Sequence, residues 1–145
     1  MSDPDLSRNP VTARILVAGS AEGEALVLDE PLSFWGGFNP RKGEIIDIHH
    51  PQYRQSVTNR IVFIPQSRGS AGTPGGIAET LRNGSGPAAI VLGNTDLNIA
   101  IGALVANRLY DLQIPVLEIS ILRLQTFSTG ERIRIDPSGT LHRGS

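Results

Sequence analysis

Short apolar runs rich in β-branched residues recur along the first half of the chain and predict strands. We expect strands over residues 14–18, 24–28 and 44–48, because turn-forming residues such as Gly and Asp bound the runs. The first two runs are separated by Gly19-Ser-Ala-Glu-Gly23, a turn composition, which predicts a hairpin. Residues 30–43 hold two prolines and three glycines, so we expect no regular element there.

In the second half of the chain, predicted strands alternate with predicted helices. Strands are expected at 61–64, 88–92 and 115–119, with helices near 76–82 and 97–110 between them. Such alternation predicts parallel pairing with right-handed crossovers. Large aliphatic residues of the second helix recur at helical spacing: Leu97, Ile101, Leu104, Val105 and Leu109. We expect this apolar stripe to pack against the sheet.

These elements predict a single α/β domain. A last strand at 132–136 follows the alternating region, and 145 residues with 39% hydrophobic content suffice for one well-buried core. We expect three layers, with a β-rich N-terminal half, a βαβαβ C-terminal half and the helices on one face. The domain is assigned to residues 13–136, with a flexible tail at 1–12 and a second tail at 137–145.

Composition narrows the class of partner and the compartment. The net charge of -1 provides no basic field of the kind that nucleic-acid binding requires, so we expect no nucleic-acid partner. No run of 18 apolar residues exists and the N-terminal ten residues are polar, so we expect a cytoplasmic protein without membrane association. The absence of cysteine excludes disulfides, a cysteine nucleophile and thiolate metal ligands from this chain.

The segment from 61 to 82 reads as strand, glycine-rich loop and helix, and its loop carries candidate chemistry. Ser67 and Ser70 flank Arg68, and the positive end of the following helix points back toward them. Thr73-Pro74 fits a helix start, with Thr73 as N-cap and Pro74 at the first helical position. Neither a phosphate-binding Gly-Lys-Ser/Thr ending nor a G-x-G-x-x-G fingerprint is present. Because a cation beside a helix N-terminus is unfavourable by itself, Arg68 predicts a bound anion such as a carboxylate.

Three further groups are read as structural. His49 and His50 are adjacent, so on an extended segment they point to opposite faces and are not expected to share a metal. Asp96 precedes the second helix and is expected to be its N-cap. The aromatic cluster Phe34, Trp35 and Phe38 lies among glycines and is either a core plug or an anchor at an interface.

A longer set of residues resembles the small subunit, or swivel domain, of aconitase X. The resemblance is carried by Glu24-Ala-Leu-Val-Leu-Asp-Glu-Pro-Leu-Ser-Phe-Trp-Gly-Gly37, Asn39-Pro40, Gly43, Ile46, Asp47, His50-Pro51, Arg68-Gly-Ser70 and Gly86-Pro-Ala-Ala-Ile90. It implies a swivelling β/β/α domain that pairs with a larger catalytic subunit to form a hydro-lyase, with His50-Pro51 shaping a loop at the subunit boundary. Activities in the family include dehydration of cis-3-hydroxy-L-proline and of mevalonate 5-phosphate.

The resemblance also implies roles for individual residues. Ser70 matches the serine proposed as general base, and Arg68 matches an arginine that binds the substrate carboxylate. Ser67, Gly69, Ala71 and Ser33 are assigned to the substrate-binding surface. Ser67 stands where the family usually has glycine, so whether Ser67 or Ser70 is the base stays open. No cofactor is expected on this chain, because an iron–sulfur cluster or iron centre would belong to the large subunit.

Two other classes of function fit the same residues. The chain could be a stand-alone module that binds a small anion without catalysis, or a structural subunit that stabilises a partner. If it is catalytic, the substrate is a small hydroxy acid: a hydroxyproline, a phosphorylated hydroxy acid or another 3-hydroxy acid.

Overall fold

The computed structural model describes residues 10–30, 38–39, 41–45, 49–66 and 73–144. Ten strands are described: β1 (Val11–Thr12), β2 (Arg14–Val17), β3 (Ala21–Val27), β4 (Phe38–Asn39), β5 (Glu44–Ile45), β6 (Ile61–Ile64), β7 (Ala89–Leu92), β8 (Val116–Glu118), β9 (Arg132–Ile135) and β10 (Thr140–Arg143). Three helices accompany them: α1 (Thr73–Arg82), α2 (Leu97–Tyr110) and α3 (Ile121–Leu124). The mixed α/β class expected from the sequence is therefore observed.

Eight strands form one sheet in the order β1-β10-β9-β3-β6-β7-β8-β2. Strands β3, β6, β7 and β8 are parallel neighbours, as the alternating pattern predicted for β6 to β8, and the remaining pairs are antiparallel. Strand β3 changes partner along its length: residues 21–24 pair with β9, and residues 25–27 pair with β6. This strand therefore joins an antiparallel region to the parallel one.

The parallel strands are buried on both faces. All four residues of β6 and all four of β7 are buried, as expected for continuous apolar runs inside an α/β sheet. Val62, Ile64, Ile90 and Leu92 share one core cluster with α1 and α2. Alternate residues of the same strands share a second cluster with β9, β10 and the α3 region. The helices α1 and α2 thus cover one face, and the antiparallel strands cover the other.

The apolar stripe predicted on α2 does not pack against the sheet, so its expected orientation is wrong. Its five large aliphatic residues are exposed, whereas the buried residues of α2 are Ile99, Ala100, Gly102, Ala103 and Ala106. The small side chains lie on the side that contacts α1 and the sheet, because close approach of a helix requires little side-chain volume at the contact. The stripe is therefore a surface feature.

Several boundaries also differ from the sequence prediction. The segments 14–18 and 24–28 do not form a hairpin, because β2 pairs with β8 and β3 pairs with β6 and β9. The sheet extends beyond the residues 13–136 assigned to the domain, since β1 and β10 pair with each other and Leu141 is fully buried. Strand β4 lies inside 30–43, where no element was expected, and pairs with β5. Helix α1 begins at Thr73 rather than near Gly76.

Backbone contacts join the N-terminal ends of the parallel strands. Asn59 N–H donates to the Gly86 carbonyl at 3.0 Å, Ala88 N–H to Arg60 at 2.9 Å and Ile90 N–H to Pro115 at 3.1 Å. Gly43 has φ +64°, and a Cβ there would overlap the Ser85 carbonyl oxygen and the Thr58 hydroxyl. Only glycine fits both the left-handed conformation and this approach.

In the described ranges, α2 is the longest helix with 14 residues. No helix among them combines the length and the apolar character that a membrane span requires.

Candidate functional site

The C-terminal edge of the parallel strands is the candidate site, because ligands of open α/β sheets bind where parallel strands end. Backbone hydrogen bonds of 2.9 Å hold this edge together: Leu28 N–H to Phe63, Gly93 N–H to Ile64 and Ile119 N–H to Leu92. The chain leaves the edge after each of the four strands, so their loops have adjacent starting points.

The predicted site residues follow two neighbouring strands of this edge. Ser67, Arg68, Gly69, Ser70 and Ala71 come after β6, and all five lie outside the described residues. Ser33 comes after β3 and also lies outside them, as do the side chains of the aromatic cluster 34, 35 and 38. Because β3 and β6 are paired in parallel, both segments leave the sheet at the same edge. The topology is therefore compatible with a shared site, and the individual roles stay predictions.

The flanks of the segment 67–72 are firmly anchored. On one side β6 is completely buried, and on the other side α1 contributes Ile77 and Leu81 to the core, at 2% and 5% exposure. The first turn of α1 contains no acidic residue. The unpaired N–H groups and positive dipole end of this ten-residue helix are therefore not neutralised by a carboxylate of its own first turn.

Gly93, just after the neighbouring strand β7, lies against the backbone that leads into that segment. A Cβ at this position would overlap the carbonyl oxygen of Pro65, which stands two residues before Ser67. The β7–α2 loop therefore passes directly against the end of β6. A larger residue at 93 would have to displace the backbone that leads into the predicted site.

Two groups of polar contacts organise the next two strand ends. Asp96 is the N-cap of α2, as predicted: its Oδ1 accepts hydrogen bonds from Asn98 N–H at 3.0 Å and Ile99 N–H at 3.2 Å. Thr95 donates its hydroxyl to Glu118 Oε1 at 2.8 Å, and Arg14 lies 3.6 Å from the same oxygen. This contact joins the ends of β7 and β8 to the start of β2.

A cavity of about 450 Å³ opens beside these contacts. Its lining includes Thr12, Arg14, Gly93, Glu118, Ser120 and Arg123. The lining residues include two arginines and one glutamate, an excess of one positive charge. Its charge and size suit a small anion. The cavity adjoins the end of β6 through Gly93, although it lies toward β8 and β2 rather than on the loop itself.

On the other flank, the His50 side chain holds the backbone just after β3, in the segment that precedes Ser33. The ring is buried, its Nδ1 accepts the Gln52 N–H at 3.0 Å, and its Nε2 donates to the Glu30 carbonyl at 3.1 Å. The proton therefore lies on Nε2 of a neutral ring. Gln52 adds two bonds with Asp29, accepting its N–H at 3.2 Å and donating to its carboxylate at 2.7 Å. His50-Pro51 thus shapes a loop, as expected, while His49 is exposed.

Four residues of this edge were not predicted from the sequence: Thr95, Glu118, Arg14 and Arg123. Thr95 and Glu118 stand at or just after the ends of predicted parallel strands, and that position was the available signal. Arg14 could not be placed from sequence because its strand was expected to pair with β3. Among the described residues, no group of three or more His, Asp or Glu side chains could hold a metal ion.

The pKa of Asp136 is shifted, but this residue lies away from the edge just described. Hydrogen bonds from Ser138 and His142 lower the pKa of the Asp136 carboxyl well below its usual range. Asp136 follows β9, near the start of β3 and therefore at the N-terminal edge. It stabilises the turn before β10 and has no place in the candidate site.

Comparison with known proteins gives one family match across almost the whole chain. A family model described as the aconitase X swivel domain matches residues 10–142. The crystal structure of Thermococcus kodakaraensis aconitase X in its holo-form is similar, with a TM-score of 0.83 and 29% identity. The similar region covers 94% of this chain and 99% of that chain.

Named relatives fall into two groups. The cis-3-hydroxy-L-proline dehydratase of Pseudomonas aeruginosa is 42% identical over 106 residues, which cover 73% of this chain but 18% of that protein. The phosphomevalonate dehydratase small subunit of Thermococcus gammatolerans is 35% identical over 124 residues, covering 85% of this chain and 88% of the relative. The chain thus corresponds to nearly all of a small subunit and to less than a fifth of the longer dehydratase.

Proposed function

Since the chain belongs to the aconitase X swivel-domain family, as its sequence resemblance indicated, we propose that it is the small subunit of a hydro-lyase. Its substrate is a small hydroxy acid, cis-3-hydroxy-L-proline or a related compound. The observation that carries this proposal is that relatives in both groups are named dehydratases, whether the swivel region is part of a long chain or a separate subunit.

In this proposal Arg68 binds the substrate carboxylate and Ser70 removes a proton as general base. A serine hydroxyl is a weak base at neutral pH unless positive charge and N–H donors stabilise its alkoxide. Arg68 and the N-terminus of α1, whose first turn lacks acidic residues, are the groups that would supply this stabilisation. Ser67, Gly69, Ala71 and Ser33 would form the rest of the substrate-binding surface.

The proposed partner is the large catalytic subunit, in the cytoplasm, and it would hold the iron centre or iron–sulfur cluster. This chain contains no cysteine, and its described histidines and carboxylates form no metal-binding group of three. When bound, the metal would act as a Lewis acid on the departing hydroxyl. In this proposal, the present chain binds the substrate carboxylate and accepts the proton.

The test compares serine variants in the reconstituted complex with a host large subunit. We expect Ser70→Ala to lower kcat for cis-3-hydroxy-L-proline or phosphomevalonate by roughly 10²–10⁴-fold, the usual contribution of a general base, with little change in KM. Ser67→Ala should change KM rather than kcat, and the exposed control Ser128→Ala should retain full activity. If Ser67→Ala is inactive and Ser70→Ala is not, the base is Ser67. Full activity of Ser70→Ala and Ser67→Ala would reject serine as the base.

The cavity between β7, β8 and β2 favours a second candidate function, an anion-binding module without catalysis. Its lining residues include Arg14 and Arg123. This function requires that the isolated chain bind a hydroxy acid or phosphate measurably by calorimetry, and that Arg123→Ala weaken the binding. If the chain is instead a purely structural subunit, Arg68→Ala should leave the turnover of the complex unchanged.

A further inference from the structure

The outer face of α2 is an apolar surface that no described element covers. Its large side chains lie on successive turns of the helix: Leu97, Ile101, Leu104, Val105 and Leu109. They are 42–66% exposed. We call these five residues the α2 stripe. Clustered exposed apolar side chains on a monomer often belong to an interaction site, so the stripe requires an explanation.

The opposite face of α2 is tightly packed, so the helix cannot rotate to bury the stripe instead. Ala103 and Ala106 are fully buried, and Gly102 lies beside them in the contact with the rest of the fold. The larger residues of the stripe would not fit between α2, α1 and the sheet without separating them. The face of α2 with small side chains therefore packs against its own domain, and the face with large aliphatic side chains is exposed.

A second exposed apolar patch lies on the other side of the same sheet edge. Leu122 is 76% exposed and Ile121 is 41% exposed in α3, which begins just after β8. Leu97 begins α2 just after β7, and β7 and β8 are parallel neighbours. Helix α2 packs with one core cluster and α3 with the other. The two patches therefore flank the C-terminal edge from opposite faces of the sheet.

We propose that the α2 stripe, continued across the edge by Ile121 and Leu122, docks an apolar surface of the large catalytic subunit. This inference rests on the proposed function, because it takes the occupant to be the subunit that completes the site. A partner that caps the C-terminal edge contacts Leu97 and Leu122 together. The stripe extends that contact along the 14-residue helix, away from the edge.

Charge argues for a different protein rather than a second copy of this chain. Arg108 is exposed and falls within the stripe by its helical spacing from Leu104 and Val105. The 14 residues of α2 contain no Asp or Glu, its N-cap Asp96 is buried, and the exposed C-cap Asp111 lies beyond the helix end. A pairing of two copies centred on Leu104 and Val105 would therefore place two arginines in one apolar interface with no carboxylate opposite them, which is costly. The large subunit is accordingly expected to present an acidic side chain opposite Arg108.

The test measures the affinity of the full-length chain for a purified host large subunit. The variants Leu104→Glu and Ile101→Glu place a charge in the stripe, and Leu122→Glu tests the second patch. The matched control Gln113→Glu adds the same charge at an exposed position near the opposite edge. We expect at least tenfold weaker binding for each stripe variant and less than twofold change for the control. Melting temperatures of the isolated chains should match wild type, because the changed side chains are half exposed.

The outcomes separate this inference from the proposed function. Unchanged affinity of both stripe variants, or no binding of the wild-type chain, overturns the docking surface. It is also overturned if the isolated chain sediments as a dimer that Leu104→Glu dissociates while binding to the large subunit is unaffected. If the stripe variants lose binding but the wild-type complex dehydrates no hydroxy acid, the docking surface stands and the proposed function fails.

Discussion

The two edges of the four parallel strands are constructed in different ways. At the N-terminal edge, backbone groups meet directly, and Gly43 lies where a side chain would overlap the Ser85 carbonyl. At the C-terminal edge, side chains add to the backbone bonds: Asp96 caps α2, and Thr95 and Arg14 meet on Glu118. Side chains that bridge the strand ends present polar groups to the adjoining cavity, whereas the backbone groups at the first edge bond to each other. We therefore expect the first edge to contribute mainly to stability and the second edge to hold the proposed site.

Gly43→Ala should give the largest loss of stability. The new Cβ would be strained at φ +64° and would overlap Ser85 and Thr58, so we expect a loss of at least about 2 kcal/mol of unfolding free energy. Chemical denaturation measures this loss. The kcat of complex that remains folded should be unchanged, because the substitution lies at the N-terminal edge. A lower kcat at full folding would contradict the separation of the two edges.

Gly93→Ala is the matched substitution at the other edge. Its Cβ would push against the Pro65 carbonyl, with an expected cost of about 1–3 kcal/mol from overpacking. Because Pro65 leads into residues 67–72, we also expect turnover of the folded complex to fall by at least about tenfold, as displaced catalytic groups cause large losses. Steady-state kinetics on material shown to be folded by circular dichroism measures this effect. Wild-type turnover would show that the segment does not depend on Gly93.

Asp136→Asn should have the smallest effect, and it should depend on pH. The pKa of Asp136 is lowered in the folded state, chiefly by the Ser138 hydroxyl and then by His142, so its charged form favours folding. The stabilisation is complete above the unfolded-state pKa of about 4 and disappears as the pH falls toward the lower folded-state pKa. The difference in melting temperature between wild type and variant should therefore be largest at pH 7 and shrink progressively as the pH falls below about 4. A constant difference across this range would reject the assignment.

Local sequence patterns predicted the parallel core because each of its strands is a continuous apolar run that can be recognised without knowing its neighbours. Residues 61–64 were predicted with the bounds observed, since continuous apolar runs are typical of strands buried on both faces. Helix α2 was also predicted at 97–110, and Asp96 as its cap. The pairing of β2 with β8 could not be read from the turn composition of residues 19–23, because it depends on contacts about 100 residues away.

The orientation of α2 was missed because hydrophobic periodicity favours large residues over small ones. Ala100, Ala103 and Ala106 also follow helical spacing, and they form the face that packs. For the candidate site, the sequence placed the glycine-rich segment after a parallel strand, as the structure does at Ile64. It could not find the contact of Glu118 with Thr95 and Arg14, which forms only when three separate strand ends are assembled.

The change of partner along β3 affects how the chain folds while it is being synthesised. Its first half pairs with β9, and the linked side chains of Glu22 and Arg132 are 110 residues apart. During translation β3 therefore emerges long before one of its neighbours, leaving an open strand edge that can pair with other chains. Such long-range pairing slows folding, so expression without β9 and β10 should favour aggregation over a smaller folded unit.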